Sequence, residues 1–161
     1  MFVGINGTRM ILQKNIALWV GVMMSCAVFG QSNGTINPTG TYGIDGKTKN
    51  GETYGYFGDI KVKKINSTEV IVQLFVCIGA PSYNQGFAYD TLEIKNNIAV
   101  YRISQDSTCK ITFKFYEQGV KVDETASDYN MGCGFGHGVI AYGFFKRKSY
   151  KIPTDEELKE H

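Results

Sequence analysis

The amino-acid sequence predicts an all-β domain in which an antiparallel meander of about eight strands closes into a lipocalin-like barrel. Short runs of alternating apolar and polar residues follow one another after Gly40 at roughly 10-residue spacing. Gly, Asn and Ser separate these runs, and none of them has the period of a helix. The chain also holds 10 Tyr, 10 Phe and 19 Gly against 3 Pro, which favours pleated sheets joined by tight turns. A two-sheet sandwich of the same strands is the alternative.

The strand assignments follow this alternation along the chain. Strands are predicted over 42–45, 54–64, 70–78, 87–94, 98–103, 111–116, a segment that opens at Val120, and 139–146. Between them we expect a polar turn over 46–51, a loop over 79–86, a glycine-rich loop over 132–138, and hairpin turns at Asn66-Ser67 and Asn96-Asn97. The strand over 70–78 is apolar on both faces, which is typical of a closed or well-covered sheet.

The first 30 residues are predicted to be a secretory signal peptide. Lys14 supplies its positive region and Gly30 ends it, and Met10 is favoured over Met1 as the start because the positive region is then short and basic. The apolar run between them is shorter than the roughly 20 residues that a membrane span needs, so no span is expected. The exported protein is expected in the periplasm or outside the cell. Its parts are a disordered leader over 31–39, a β-barrel domain over 40–148 and a tail over 149–161.

Cys26 leaves a second outcome of export open. It follows a small residue at the end of the apolar run, where a lipid anchor can be attached. A lipidated Cys26 would tether the domain to a membrane, because each buried methylene of the acyl chains adds free energy. Met23-Met24 departs from the usual lipidation pattern, so cleavage after Gly30 is favoured over a lipid anchor.

The tail carries the signals of a helix start. Thr154 can cap the first turn, and the Glu157 side chain can accept a hydrogen bond from the Thr154 backbone N as its capping-box partner. The acidic residues beside them suit the positive end of a helix dipole. A short C-terminal helix of about one or two turns is therefore predicted.

Three of the four cysteines remain after export, and an oxidising compartment favours a disulfide between two of them. Cys77 lies in a strongly apolar strand and behaves as a small apolar residue. Cys109 and Cys133 are predicted beside strand ends, where chain segments meet, so we expect these two to pair. A metal site with His137 is the alternative, but these residues lack the paired spacing of zinc ligands.

The residues around Cys109 and Cys133 resemble a family of exported bacterial β-domains, some of which are named as lysozyme inhibitors or carry a lysozyme-inhibitor-like segment. The matching stretches are NNIAVY, CKITFKF, VKV and CGFGHGVIAYG, which lie within about residues 96–145. The resemblance implies the barrel, the Cys109–Cys133 pair and the binding of a lysozyme. The family pattern ends in G-x-Y-K/R, whereas Phe145 replaces the Tyr here, and the helical multi-cysteine segment linked to the inhibitor name is absent.

The sequence carries no nucleophile elbow, phosphate loop, HExxH motif or dinucleotide fingerprint. His137 is the one histidine besides His161, and no partner at a suitable spacing positions it as a base. Asp123 and Glu124 could act as acid and base, but adjacent strand residues point to opposite faces. We therefore predict a protein that is not an enzyme and needs no cofactor. A net charge of +2 without a long basic run argues against a nucleic-acid partner.

Two loops are the candidate binding sites. Phe135 and His137 stand between the glycines of the glycine-rich loop, which could protrude into the cleft of a partner. Tyr83, Asn84 and Tyr89 combine aromatic rings with an amide, a composition that suits contact surfaces. The expected partner is a protein, such as a lysozyme or an envelope component, or a glycan. A carrier that holds a small hydrophobic ligand in the barrel interior is the alternative function.

Overall fold

The computed structural model describes residues 1, 34–103, 106–130 and 132–159. The predicted signal peptide from residue 2 onward, Cys26 and the start of the predicted leader lie outside the described residues. The strands, in chain order, are β1 (Gly40–Ile44), β2 (Lys47–Lys49), β3 (Glu52–Lys64), β4 (Glu69–Gly79), β5 (Gln85–Lys95), β6 (Ile98–Ile103), β7 (Asp106–Tyr116), β8 (Gly119–Thr125) and β9 (Gly143–Ser149). A 3-10 turn over Gly132–Gly134 lies between β8 and β9.

The sheet closes on itself through β1, which pairs antiparallel with β3 on one side and with β9 on the other. From β3 to β9 each strand pairs antiparallel with its neighbour in the chain. Eight strands, all except β2, therefore form a closed barrel, and the predicted barrel is confirmed over the sandwich alternative. Closure leaves no long free edge in the ring, which protects the sheet against edge-to-edge pairing.

Two features of the strands differ from the sequence-based prediction. The stretch predicted as a polar turn contains β2, which forms a hairpin with the start of β3 outside the ring, with Asn50 at a positive φ of 53° in the connection. The last strand begins at Gly143 rather than at 139. Val139 and Ala141 nevertheless are buried, because the loop that carries them folds into the core.

The barrel interior is filled by side chains from all eight strands of the ring. The side chains that point inward are fully or almost fully buried. They include Tyr42, Ile60, Val62, Val70, Val72, Leu74, Val76, Ala88, Leu92, Ala99, Ile111, Phe113, Phe115, Val120, Val122 and Phe145. Grooves of about 550 Å³ and 360 Å³ exist, and they lie at one end and on the outer wall of the barrel. A carrier function in the interior requires space of several hundred Å³ there, and this packing does not support it.

The antiparallel order places the connections alternately at two ends of the barrel. The upper end, as named here, carries the β4–β5 loop (80–84), the β8–β9 loop (126–142) and the β2 hairpin. The lower end carries the short β3–β4, β5–β6 and β7–β8 turns together with the segments that precede β1 and follow β9.

Arg147 closes the lower end by joining the segment before β1 to β9. Its guanidinium lies over the rings of Tyr42 and Tyr150, 4.6 Å and 4.5 Å from their centroids. It also donates hydrogen bonds to the backbone carbonyl oxygens of Asn37 (3.2 Å) and Thr39 (2.9 Å). Burial in this packed environment raises the pKa of Tyr42 to about 12.

The tail forms the predicted capping box but not the predicted helix. The Thr154 backbone N donates to a Glu157 carboxylate oxygen (2.7 Å), and the Glu157 backbone N donates to the Thr154 hydroxyl (3.1 Å). The residues that follow make a turn, which Lys61 holds by donating from Nζ to the backbone carbonyl oxygen of Glu157 (2.8 Å). The Leu158 backbone N donates to the Thr154 carbonyl oxygen (3.1 Å), so the described tail forms a single hydrogen-bonded turn with Leu158 buried, not a helix.

Candidate functional site

A disulfide ties the β8–β9 loop to the barrel wall. Cys109 and Cys133 are bonded, with a Cα–Cα distance of 5.1 Å, and both are buried. The predicted pair is therefore confirmed, although Cys109 lies within β7 rather than beside its end. The free Cys77 is buried, as predicted. The covalent tie places the middle section of the loop against the upper end of the barrel.

Phe135 anchors the same loop from inside. It is 3% exposed and belongs to the buried core, so it is not part of an exposed contact surface. Its ring lies directly over Gly86, where any Cβ would overlap it. A glycine in β5 thus provides the space that the ring fills. The sequence pattern placed Phe135 beside His137 in the loop, and the packing separates their roles, since one is buried and the other exposed.

Hydrogen bonds join the β4–β5 loop to the β8–β9 loop. Asn84 donates from Nδ2 to the backbone carbonyl oxygen of His137 (2.8 Å), and the Gly136 backbone N donates to the carbonyl oxygen of Gln85 (2.9 Å). His137 is exposed, and Tyr83 next to Asn84 is 43% exposed. The structure therefore brings together Asn84 and His137, which are 53 positions apart in the chain. With Tyr83 next to Asn84, three of the five predicted binding residues lie at one place.

Further tyrosines, which the sequence did not single out, lie at the same end of the barrel, at the start of β3 and in the β8–β9 loop. Tyr54 is 40% exposed and Tyr142 is 54% exposed. Tyr56 packs edge-on against Tyr142, with 5.3 Å between ring centroids, and donates to the backbone carbonyl oxygen of Gly138 (3.1 Å). We call Tyr54, Tyr56, Tyr83, Tyr142 and His137 the tyrosine rim. Tyr83 and His137 of this rim were predicted from the sequence, whereas Tyr54 and Tyr56 are marked in the sequence only by the alternation of the strand predicted over 54–64.

Hydrogen bonds and burial perturb the hydroxyls of the rim. Tyr54 donates to a Glu52 carboxylate oxygen (2.6 Å), and this hydrogen bond raises the pKa of Tyr54, with an added electrostatic contribution from Tyr83. Partial burial raises the pKa of Tyr56. The phenols of Tyr54 and Tyr56 therefore stay neutral near neutral pH, where they can donate and accept hydrogen bonds.

Tyr89 lies apart from the rim, on the outer wall of the barrel. It belongs to β5, is 41% exposed and lies opposite the buried Gln73 of β4. Phe87 precedes it on the same face and lies opposite Phe75. The structure thus assigns Tyr89 to a separate aromatic surface on the wall.

Carboxylates near the upper end have structural partners. Glu124 accepts a hydrogen bond from the Ala141 backbone N (2.7 Å), which fastens the end of the β8–β9 loop to β8. Burial raises the pKa of Glu124, while the bond from Ala141 partly offsets this. Asp123 points to the outer face, where it pairs with Lys121 (2.9 Å). The two adjacent carboxylates therefore face opposite sides of the sheet, as the strand geometry predicts.

In the described part of the chain, no group of three or more His, Cys, Asp or Glu side chains could hold a metal ion. Nor does any helix among the described residues have the length and apolar character needed to cross a membrane. Comparisons of the chain with protein-family models, with curated proteins and with solved structures find no match.

Proposed function

We propose that this chain is an exported, non-catalytic binding module whose contact surface is the tyrosine rim. The observation that carries this proposal is the hydrogen bond from Asn84 to the His137 carbonyl oxygen, which joins two loops into one surface. Exposed Tyr83 adjoins Asn84, and exposed Tyr142 packs against Tyr56, which donates to the carbonyl oxygen of Gly138 next to the exposed His137.

The chemistry of the rim suits recognition rather than catalysis. Tyrosine offers a large, rigid ring and a polar hydroxyl at low cost in side-chain entropy, which is why tyrosines concentrate in contact surfaces. The two loops are held by a disulfide, by buried Phe135 and by hydrogen bonds, so little order has to be gained on binding. No ion pair joins His137 to a carboxylate among the described residues, so nothing there orients it as a general base.

The proposed partner is a protein, and the resemblance of residues 96–145 to lysozyme-inhibitor-like domains makes a lysozyme the first candidate. An envelope protein or a glycan could use the same rim, because tyrosine rings also stack on sugar faces. The alternative function, a carrier of small hydrophobic ligands, would have to place its ligand where the inward side chains already pack.

Gel filtration of the mature protein with several lysozyme types tests the proposal. We expect one complex, and we expect Tyr83→Ala and His137→Ala each to weaken it by about tenfold or more, as for central contact residues. Phe144→Ala is the matched control, because Phe144 is also 43% exposed but lies on the outer face of β9.

The outcomes separate the partners. A complex that both rim variants form unchanged would rule out the rim as the contact surface. If no lysozyme binds, immobilised wild-type protein and the Tyr83→Ala variant are compared on envelope extract and on a glycan array. If the wild type and the Tyr83→Ala variant retained every envelope protein and every glycan equally, the tyrosine rim would be excluded as the contact surface.

A further inference from the structure

A groove of about 550 Å³ lies at the lower end of the barrel, opposite the tyrosine rim. The segment before β1 forms one side of it, and the β3–β4 and β5–β6 turns form the other. Its lining residues are Thr35, Ile36, Pro38, Lys64, Ser67, Ile94, Lys95, Asn96, Asn97, Ile98 and Lys114. This volume lies within the range of small-molecule sites in proteins, about 300–1,000 Å³.

The groove is cationic. Lys64, Lys95 and Lys114 line it, and none of its lining residues is acidic. Among the described residues no ion pair involves these three lysines, whereas Lys61, Lys63, Lys121, Lys148 and Lys151 each have a carboxylate within 4 Å. The side chains of Ser67 and Asn96 add neutral hydrogen-bond donors to the same lining. An anionic group in the groove would therefore find several donors and no competing carboxylate.

The rest of the lining is apolar and is held in place by Asn97. Ile36, Pro38, Ile94 and Ile98 contribute the apolar surface. Asn97 accepts from the Ile36 backbone N at Oδ1 (3.0 Å) and donates from Nδ2 to the Gly34 carbonyl oxygen (3.3 Å). These bonds fasten the segment before β1 to the β5–β6 turn, so the groove has two fixed walls.

We propose that this groove binds a small amphipathic anion, in which a phosphate or carboxylate group is attached to a short apolar chain. The anionic group contacts the lysine Nζ atoms, and the chain lies on the isoleucines and Pro38. Charge-assisted hydrogen bonds supply the selectivity for the anion, and burial of the apolar chain supplies further affinity. The site is independent of the tyrosine rim because it lies at the other end of the barrel.

Isothermal titration calorimetry of the purified protein with hexyl phosphate, hexanoate, inorganic phosphate and hexyl glucoside tests the proposal. Hexyl phosphate or hexanoate should bind about tenfold or more tightly than inorganic phosphate, which lacks the chain, and than hexyl glucoside, which lacks the charge. The stronger of the two anions identifies the preferred head group. Equal binding of hexyl glucoside, or binding of inorganic phosphate at least as tight as that of both chain-bearing anions, would overturn the proposal.

Variants locate the site. Lys64→Gln, Lys95→Gln and Lys114→Gln should each weaken binding several-fold, and the triple variant should abolish it, whereas Lys49→Gln and Lys146→Gln on other surfaces should leave it unchanged. Amide shifts on titration should be confined to the β5–β6 turn, the β3–β4 turn and residues 34–38. Unchanged affinity in the triple variant, or shifts centred elsewhere, would exclude this groove.

Discussion

Asn84 donates a hydrogen bond from Nδ2 to the backbone carbonyl oxygen of His137 at 2.8 Å, and this contact spans two loops at the upper end of the barrel. We expect Asn84→Ala to lower the free energy of unfolding by about 1 kcal/mol, the usual value of one hydrogen bond. Amide exchange at Gly136 and Gly138 should accelerate. Urea unfolding and hydrogen exchange measure the two effects. Gln85→Ala, at the exposed neighbouring residue, should change neither of them. Unaltered exchange in Asn84→Ala would show that the loops are held without this bond.

The Cys109–Cys133 disulfide closes a loop whose ends are 24 positions apart. On the chain-entropy model, a loop of this size stabilises the fold by about 3 kcal/mol. The double variant Cys109→Ser/Cys133→Ser should lose about this amount in chemical unfolding, and reduction of the wild type should produce a similar loss. Cys77→Ala is the control, because it retains the disulfide. Its effect on stability should be the same in the oxidised and in the reduced protein. If the double variant were as stable as the oxidised wild type, the disulfide would not stabilise the fold.

Gly86 and Phe135 form a matched pair in the core, because the ring occupies the space above a residue without a Cβ. Gly86→Ala should destabilise the protein by about 1–3 kcal/mol through overpacking. Combining Gly86→Ala with Phe135→Leu should recover part of this loss, since the smaller side chain leaves room for the methyl group. Gly34→Ala, where a Cβ meets nothing within 4 Å, should cost little. Strict additivity in the Gly86–Phe135 cycle would contradict direct contact.

Arg147 joins the segment before β1 to β9 through two rings and several backbone carbonyl oxygens. Arg147→Ala should reduce the free energy of unfolding by about 2 kcal/mol, since charged hydrogen bonds and cation–π contacts are both lost. Arg147→Lys should give an intermediate loss, because lysine keeps the charge but not the planar set of donors. Thermal and urea unfolding check both values, and the exposed Lys146→Ala serves as control. A lysine variant as unstable as the alanine variant would show that charge contributes nothing.

We expect the buried Glu124 to make the free energy of unfolding depend on pH. Burial raises the pKa of Glu124 in the folded state above its ordinary value of 4.5, so the folded state binds the proton more tightly than the unfolded state does. Its contribution to stability is therefore complete below that ordinary pKa and is lost as the pH rises through the raised folded pKa. Glu124→Gln should match the wild type near about pH 4 and exceed its stability near about pH 7.

The measurement for Glu124 is urea unfolding of both proteins across this pH range. Glu124→Gln keeps an oxygen that can accept the Ala141 N–H, so the loop contact is preserved. Asp123→Asn, on the exposed side of the same strand, is the control and should show no such gain. A stability difference that is constant with pH would contradict the assigned role of burial.

The two-residue alternation in the sequence determined the strands and their inward faces. That pattern depends only on neighbouring residues, because successive side chains on a strand point to opposite sides. The turn at Asn96-Asn97 was predictable for a similar reason, since asparagine tolerates the positive φ values of 52° and 62° found there. The Cys109–Cys133 pair was predictable because an expected oxidising compartment favours a disulfide and Cys77 lies in a strongly apolar strand.

Only the tertiary structure decided where separate segments meet. It placed β1 between β3 and β9, buried Phe135 over Gly86 and left His137 beside Asn84 on the surface. It also replaced the predicted tail helix by a turn against the barrel wall. These outcomes depend on packing between residues far apart in the chain. Local sequence specifies the secondary structure that each segment prefers. Packing between residues far apart in the chain then decides which segments keep that structure and which side chains remain exposed.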